Sequence, residues 1–290
     1  MDLTCTDVDD KSVAQSGDWK VIGKIKLTNT DKNKLISGEW LDDQHINAAQ
    51  WLLHQQHPHI SGFQSTTLQF TRTFEVQGDK EFVQIFNIMN SHWITVSTVG
   101  CSPEVVKVYD TMHLTLTTSV EKVIADLLHT KRKYITIEYA NVQYQKGGSD
   151  CGPLAIAIAT AICHGQNPEH LNIEQDKTRE HLRTAFEQGV IVPFSAKPVK
   201  RKSCIRKERL KIYCSCRQIE DGRDMVKCDG CKEWFHVDCI QISQLALKDK
   251  NTPWFCQSSC SSMSIVSSSK TPGNEYTYER VAHEIRELKV

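Results

Sequence analysis

The 290-residue sequence has no excess of charge of either sign, since 35 Lys and Arg side chains face 35 Asp and Glu. A net charge of zero gives no chain-wide field that would attract nucleic acid or an anionic membrane. Long hydrophobic runs are also missing: the longest, at residues 153–163, is far shorter than the roughly 20 residues of a membrane-spanning helix. The first ten residues are acidic and contain no apolar stretch like that of a secretory signal. We therefore expect a soluble intracellular protein that does not contact a membrane.

Cysteine, in contrast, is abundant, and its twelve copies are unevenly placed. Seven of them lie between residues 214 and 260, as close pairs around one histidine. In a reducing compartment this pattern favours metal ligation over disulfides. The composition thus predicts one sizeable domain and a small metal-dependent module beside it.

The segments of the chain differ enough in composition to predict its organisation. Residues 18–195 alternate helical and strand patterns with few breakers, which predicts an α+β domain. Residues 196–212 carry eight basic side chains and one acid, and are expected to be a linker. Residues 213–260 hold the cysteine-rich module. Residues 1–17 are expected to be a flexible N-terminus, and residues 261–290 a serine-rich tail with a short helix.

Hydrophobic periodicity predicts the main elements of the α+β domain. Strands are expected at 82–89, 92–99, 105–110 and 134–139, and helices at about 42–57, 119–130, 152–164 and 173–188. Asp42 or Asp43 would cap the first of these helices, and Pro58 would end it.

Two of the predicted strands flank the turn-like segment GCSP at residues 100–103. An antiparallel hairpin centred there would pair Ile94 with Val108 and place four apolar side chains on one face. The same register would set His92 opposite Asp110, with Cβ atoms roughly 5 Å apart. An imidazole oriented by a carboxylate is the arrangement of a catalytic pair. An incidental cross-strand pair would give the same pattern.

The stretch YQKGGSDCGPLAIAIATAIC, residues 144–163, places Cys151 at the start of a predicted buried helix. Asp150 is suited to the N-cap of that helix, and Pro153 to its first turn. A helix N-terminus and a nearby imidazolium favour the thiolate form of cysteine. Glycines at 147, 148 and 152 would let a substrate backbone come close. Cys151 is therefore a candidate nucleophile, with an inert buried thiol as the alternative.

The chain contains His, Asp, Gln and Cys in this order, together with the motifs GEWLDDQHIN, SHWITV, VYD and QKGGSDCG. This pattern resembles the ubiquitin-like-protein-specific cysteine proteases of the SUMO-deconjugating type, and the resemblance covers about residues 18–195. The resemblance implies a papain-like core with no cofactor. It also implies that Cys151 is the nucleophile, that His92 is the general base and that Asp110 orients the imidazole.

Three further residues take roles from the same resemblance. Gln145 and the backbone N–H of Cys151 would donate hydrogen bonds to the oxyanion. Trp40 and Trp93 would clamp a Gly-Gly tail in a tunnel, because only a substrate without side chains near the scissile bond fits between two indoles. A loop role for Gln145 and a core role for Trp40 are the alternatives.

The cysteine-rich module has the spacing of zinc ligands. Zinc takes four N or S ligands in a tetrahedron, and eight candidates make two sites: Cys214, Cys216, Cys228, Cys231, His236, Cys239, Cys256 and Cys260. A module of about 48 residues can barely bury a core, so we expect the two zinc ions to supply its folding energy.

Four cysteines, one histidine and three cysteines, with PWFC at the seventh ligand, resemble a PHD finger over residues 213–260. The resemblance implies interleaved pairing, in which the first and third ligand pairs hold one zinc and the second and fourth hold the other. It also implies a methyl-lysine cage of Tyr213, Met225 and Trp234 that holds a histone tail by cation–π attraction. Asp229 and Asp221 are candidates for basic residues of the tail. Aromatic packing of the small domain is the alternative.

The combined prediction is a nuclear cysteine isopeptidase or peptidase that removes or processes a SUMO-like or ubiquitin-like modifier. The finger would target it to chromatin, and the basic linker could contact DNA phosphate, serve as a nuclear import signal or simply be solvated. Two rival functions stay open: a histone reader with a non-catalytic protease-like domain, and a processing protease of a mobile-element or viral-type polyprotein. A cytoplasmic location is the alternative to the nucleus.

Overall fold

The computed structural model of the chain describes residues 17–202, 206–240 and 253–256. Its elements in chain order are β1 (Asp18–Ile22), β2 (Ile25–Thr28), α1 (Asn29–Ser37), α2 (Asp43–Gln56), β3 (Ser61–Gly62), α3 (Leu68–Thr71), β4 (Phe82–Ile88), β5 (His92–Ser97), β6 (Val105–Tyr109), α4 (Thr118–Leu128), β7 (Tyr134–Tyr139), α5 (Cys151–Cys163), β8 (Leu171–Ile173), α6 (Thr178–Gln188), β9 (Ala196–Pro198), β10 (Arg206–Lys211), β11 (Met225–Lys227), β12 (Trp234–His236) and α7 (Val237–Ile240). The predicted tail helix and Cys260 lie outside the described residues. In the part that is described, no helix is long and apolar enough to cross a membrane.

The central feature is a six-stranded mixed sheet in the order β10-β7-β6-β5-β4-β3. Alternate side chains of its strands enter two separate apolar clusters, as the period of two in a strand requires. One cluster joins Trp93 and Tyr109 to side chains of α2, α5 and α6. The other joins Ile94 and Val108 to side chains of α4. Helices therefore cover both faces of the sheet, and the α+β prediction is confirmed.

The β5–β6 hairpin forms, but its predicted register is wrong by two residues. Val96 pairs with Val108, whereas the sequence predicted Val106 as its partner. The reason is the connection, which contains two successive turns, closed by hydrogen bonds from Cys101 to Thr98 and from Val105 to Ser102. A slip of two residues leaves every side chain on its expected face. The four predicted apolar side chains accordingly share one cluster.

Nine of the described residues in the expected linker at 196–212 lie in strands, which corrects the prediction from its charge. Residues 196–198 form β9, and β10 runs antiparallel to β7 as an edge of the six-stranded sheet. Exposed and half-buried side chains alternate along β10, as expected for a strand. The many basic residues of the segment made this alternation hard to recognise from the sequence. Leu210 packs on the α4 cluster, and the Arg206 guanidinium lies 3.8 Å from the centre of the Tyr139 ring.

Two other elements differ from the predictions. The helix expected from residue 173 begins only at Thr178, because residues 171–173 form β8, paired with β9. The helix α1 was not predicted, although its start carries a local signal. Thr28 and Asp31 form a capping box, and Gly38 ends the helix in the left-handed conformation.

Candidate active site and metal-ligand clusters

Cys151 is the first residue of α5 and is buried. The preceding Asp150 occupies the N-cap position, as predicted, but its carboxylate makes no capping hydrogen bond. Its two oxygens accept hydrogen bonds from Arg179 Nε (2.8 Å) and Gln175 Nε2 (2.6 Å). Arg179 also donates to the carbonyl of Ser149 (2.9 Å). The loop in front of Cys151 is thus held from the side of α6, and the start of α5 has no side-chain cap.

His92 and Asp110 meet, as the sequence predicted, in spite of the shifted register. His92 Nε2 lies 2.5 Å from Asp110 Oδ1, and both side chains are buried. The Asp110 carboxylate also accepts hydrogen bonds from the backbone N–H groups of Met112 (2.8 Å) and Leu114 (2.7 Å). Because the carboxylate is fixed by the loop that follows β6, it fixes the plane of the imidazole.

The electrostatics of the pair favour a charged imidazole. Burial alone would lower the pKa of His92, but the hydrogen bond to Asp110 and the interaction with the Cys151 thiol raise it to about 9. Burial would raise the pKa of Asp110, but the bonds from His92 and from the backbone lower it. The other ring nitrogen, Nδ1, is buried and has no partner of full hydrogen-bond geometry among the described residues. Because Nε2 bonds to Asp110, Nδ1 is the ring nitrogen left to interact with the Cys151 thiol.

Gln145 is buried and held at both ends of its amide. Its Oε1 accepts a hydrogen bond from the Thr111 hydroxyl (2.7 Å), and its Nε2 donates to the carbonyl of Gly147 (3.0 Å). Thr111 directly follows Asp110 in the chain, so the loop that holds the acid also holds the amide. The predicted role of Gln145 as an oxyanion donor is compatible with this arrangement and stays a prediction.

The two predicted tryptophans line one cleft with Cys151, and its volume is about 620 Å³. Trp40 is 54% exposed, which makes a core role untenable for it. Trp93 is buried, and its indole Nε1 donates to the carbonyl of Leu41 (2.9 Å). One indole is therefore fixed at the base of the cleft while the other stands at its rim.

Gly152 lies where α5 packs closely against the wall of the cleft. A Cβ atom at this position would come within 3.0 Å of Leu41 Cβ and 3.3 Å of Trp93 Cδ1. Such contacts are tight, so this glycine lets α5 approach Leu41 and Trp93; its predicted role towards a substrate backbone stays a prediction. Gly147, in contrast, has open space around it and a φ of +71°.

The described metal-ligand candidates form the predicted interleaved clusters. The ligand atoms of Cys214, Cys216, His236 and Cys239 all lie within 4.8 Å of one another, and so do those of Cys228, Cys231 and Cys256. The sulfurs of Cys231 and Cys256 are 3.8 Å apart. Two thiolates on one tetrahedral zinc, each with a bond of about 2.3 Å, require a separation of about 3.8 Å. The donor sets and the spacing fit zinc, and Cys260 would complete the second set.

A second observation supports a metal in the first cluster. His236 is buried, and its Nδ1 faces Cys216 Sγ at 3.3 Å, on the side where the metal would lie. Its Nε2 is 3.6 Å from an oxygen of Asp221. A carboxylate behind the histidine is the usual outer support of a zinc ligand.

The predicted cage residues lie close together on the small domain. Met225 and Trp234 are on the paired strands β11 and β12, and the backbone N–H of Cys214 donates to the carbonyl of Trp234 (3.0 Å), which brings Tyr213 alongside. All three side chains are half-buried. The protein's own lysines already lie near two of the rings: Lys211 Nζ is 4.9 Å from the centre of Tyr213, and Lys227 Nζ is 5.8 Å from that of Trp234.

Of the two acidic tail-binding candidates, Asp221 is excluded. Its carboxylate is 5% exposed and pairs with Arg223 (2.9 Å) and with Lys122 of α4 (3.1 Å). Asp229 accepts a hydrogen bond from the backbone of Trp254 (2.9 Å). Its predicted contact with a tail stays a prediction.

Several residues of the site follow no local pattern in the sequence. Thr111 was adjacent to the predicted Asp110 and could have been suggested by that position. Gln175 and Arg179 lie more than twenty residues after Cys151, in a segment predicted only as helix. Their contacts depend on how α6 returns to the active-site loop, which no local pattern indicates.

One part of the chain matches a known protein family. Residues 214–260 match the PHD-finger family. The small domain is a PHD finger, and the eight-ligand zinc pattern belongs to it. This confirms the resemblance proposed from the order of cysteines and histidine.

Curated relatives match short segments. Protein ECM5 of Saccharomyces cerevisiae is 41% identical over 66 residues, which are 23% of this chain and 4% of that protein. Set1 complex component spp1 of Schizosaccharomyces pombe is 40% identical over 45 residues, 16% of this chain and 10% of its own length. Lysine-specific demethylase 7A of Danio rerio is 53% identical over 32 residues, 11% of this chain and 4% of its own. The chain spans a tenth or less of the length of each of these three relatives.

Solved structures resemble the larger domain more loosely. The Ulp1 protease domain in complex with Smt3, the yeast ortholog of SUMO, is 13% identical with a TM-score of 0.45, and the match covers 60% of this chain and 89% of that one. The Ulp1-like SUMO protease catalytic domain of Chaetomium thermophilum is 16% identical with a TM-score of 0.43, covering 59% and 82%. Because these scores are below 0.5, the function proposed next rests on the residues of the site.

Proposed function

We propose that the chain is a cysteine peptidase or isopeptidase that cleaves after the C-terminal glycine of a SUMO-like or ubiquitin-like modifier. The observation that carries this proposal is the environment of His92. Its Nε2 is bonded to a buried carboxylate, its Nδ1 is left without a full partner, and the thiol that interacts with it begins a buried helix. Most buried polar side-chain atoms have a hydrogen-bond partner, so a buried ring nitrogen without one, on a histidine that interacts with a thiol, supports a catalytic role.

The chemistry follows from these positions. The Cys151 proton moves to His92 Nδ1, and the thiolate attacks the carbonyl carbon of the terminal glycine. The carbonyl oxygen becomes an oxyanion, to which Gln145 and the Cys151 backbone N–H donate. The C–N bond then breaks, and His92 gives its proton to the departing amine. Water, deprotonated by His92, hydrolyses the thioester and releases the modifier with a free carboxylate.

The substrate class is suggested by the cleft. Trp40 and Trp93 lie on the same cleft as the nucleophile, and a Gly-Gly tail is the segment thin enough to pass between two indoles. This supports a modifier with such a tail over an ordinary peptide with side chains on both sides of the scissile bond. Processing of a precursor and removal from a conjugate use the same chemistry.

The finger supplies the proposed location. A PHD finger whose Tyr213, Met225 and Trp234 surround a methylated lysine would hold the peptidase on a histone tail, and therefore in the nucleus. Zinc, when bound, supplies structural stability to the finger and takes no part in the peptidase chemistry. The exposed basic side chains of β10 would add a weak contact to DNA phosphate.

The experiment that tests the proposal uses SUMO, ubiquitin and a short Gly-Gly peptide, each with a C-terminal electrophile. We expect at least one modifier probe to form an adduct on Cys151, identified by mass spectrometry. The matched control is Cys163→Ala at the opposite end of α5, where burial raises the thiol pKa to about 12. This variant should label like the wild type, whereas Cys151→Ala should not label.

The outcomes separate the rival functions. No adduct with any probe would favour the non-catalytic histone reader. An adduct with the short peptide that forms as fast as with either modifier would favour the processing protease of a polyprotein. Labelling that persists in Cys151→Ala would refute the assignment of the nucleophile.

A further inference from the structure

We propose that Thr111 is a positioning residue that holds the Gln145 amide in the orientation in which it can donate to an oxyanion. The inference rests on the peptidase function proposed above and extends it by a residue that never touches the substrate. Thr111 and Gln145 are both buried, with 2% and 4% of their surfaces exposed.

The contacts of the Gln145 side chain identify its amide oxygen and its amide nitrogen. A backbone carbonyl can only accept a hydrogen bond, so the group 3.0 Å from the oxygen of Gly147 must be the NH₂ of Gln145. The amide oxygen then faces the Thr111 hydroxyl at 2.7 Å, and the hydroxyl must be the donor. The network therefore has one consistent assignment.

The assignment leaves one N–H of the amide unused by these contacts. An NH₂ group has two protons, and the carbonyl of Gly147 takes one. The remaining proton is the one available to a developing oxyanion. In a flipped amide, the oxygen would face the carbonyl of Gly147 and also present a negative atom to the oxyanion, so the Gly147 carbonyl excludes the flip. The Thr111 hydroxyl adds a second hydrogen bond, to the amide oxygen, and holds the amide in the productive orientation.

The same residue links the amide to the catalytic acid. The backbone carbonyl of Thr111 accepts a hydrogen bond from the backbone N–H of Gln145 (2.9 Å), so the two residues are joined by main chain and side chain. Asp110, one residue earlier, holds His92. The spacing between the imidazole and the oxyanion donor is thereby set by one short loop.

The test compares Thr111→Val, which keeps the shape and removes the hydroxyl, with Thr111→Ser, which keeps the hydroxyl. The substrate is SUMO with a C-terminal aminomethylcoumarin, or ubiquitin with the same group if that modifier labels Cys151. We expect Thr111→Val to lower kcat by about tenfold to a hundredfold, because loss of an oxyanion donor costs about a hundredfold or more. KM should change less than twofold, and Thr111→Ser should restore most of kcat.

Two further measurements separate positioning from a structural fault. Alkylation of Cys151 by iodoacetamide passes through no oxyanion, so its rate should be the same in Thr111→Val and the wild type. Thr160→Val is the matched control, since Thr160 is equally buried and its hydroxyl bonds within α5 to the carbonyl of Ile156 (2.8 Å). In a Gln145→Ala background, Thr111→Val should cause no additional loss of kcat.

The proposal would be overturned if Thr111→Val kept the wild-type kcat, or if alkylation of Cys151 slowed in parallel with kcat. An additive loss in the Gln145→Ala background would overturn it as well. Failure of the peptidase function is distinguishable, because the wild type itself would then neither label nor release the coumarin, and the role of Thr111 would fall with it.

Discussion

The active-site region and the PHD finger hold their functional side chains by different means. Around Cys151, a sheet covered on both faces supplies two large apolar clusters, and the site is a small polar inclusion at their edge. In the described part of the finger, Ile219 and Val226 are the buried apolar side chains apart from cysteines. The catalytic geometry is therefore fixed by packing, while the geometry of the finger depends on metal.

The two regions are nevertheless in contact. Ile219 of the finger belongs to the α4 cluster, and Asp221 pairs with Lys122 of α4. Gln218 also donates a hydrogen bond to Asp126 of the same helix. Asp221 stands behind the zinc-ligand candidate His236 as well. The Asp221 carboxylate thus joins the metal cluster to the larger domain. Loss of zinc should therefore slightly lower the stability of the larger domain as well.

The largest effect should come from the packed site. We expect His92→Ala to lower turnover at least a thousandfold, and Asp110→Asn to lower it less, because histidine carries the proton and aspartate orients and stabilises it. Steady-state rates on the SUMO or ubiquitin coumarin substrate measure both. An equal or larger loss for Asp110→Asn would contradict the assignment of roles.

The pH dependence of the same variants sharpens this assignment. The folded pKa of His92, about 9, is above its ordinary value of 6.5. Protonation of His92 therefore stabilises the fold fully below pH 6.5, and this contribution is lost as pH rises through about 9. Activity that needs the imidazolium should fall over the same upper range. Asp110→Asn removes the main cause of the raised pKa, so the alkaline limb of its pH–rate profile should move to lower pH.

Removal of metal should unfold the PHD finger and leave the active site around Cys151 intact. We expect two zinc ions per chain by elemental analysis, and chelation should make residues 213–256 sensitive to proteolysis. Labelling of Cys151 should persist, with a melting temperature of the larger domain lowered by a few degrees through the lost α4 contacts. Cys228→Ser should release one ion and mimic part of the effect. The proposed difference between the two regions would be contradicted if elemental analysis showed one zinc ion or none, or if the larger domain unfolded in the presence of chelator.

The interactions that stabilise each region also decide how well its structure could be predicted from the sequence. Zinc ligands recur at short spacings, so the interleaved clusters could be predicted from residue order, and the described ligands lie where the pattern placed them. The His92–Asp110 contact survived a wrong register because a slip of two residues keeps faces and leaves the side chains within diagonal reach.

Other features lay beyond local patterns. The basic segment was interpreted from its charge, but its position at the sheet edge depends on pairing with β7, some seventy residues earlier. The hydrogen bond from Arg179 to Asp150 forms only because α6 packs against the active-site loop. Both are long-range contacts, and composition carries no signal for them.

The smallest expected effect belongs to the cage, where the finger's geometry is tested on a ligand. If Tyr213, Met225 and Trp234 surround a methylated lysine, the finger should prefer a trimethylated histone-tail peptide to the unmodified one. A desolvated cation–π contact is worth about 2 kcal/mol, which is more than tenfold in Kd. Titration of the full chain with the two peptides measures the preference.

Variants decide whether the aromatic side chains bind or only pack. Trp234→Ala should remove most of the preference and leave the zinc content unchanged, because Trp234 is not a ligand. Trp234→Phe should keep part of the preference.

Lys227→Gln should tighten binding of the methylated peptide slightly, since Lys227 Nζ, 5.8 Å from the ring centre, competes for the same indole. Asp229→Asn keeps an acceptor for Trp254 but removes the charge, so it should weaken both peptides alike. Equal affinity for methylated and unmodified tails would mean that the aromatic side chains only pack the small domain, and the finger would then lack the contact proposed to hold the peptidase on chromatin.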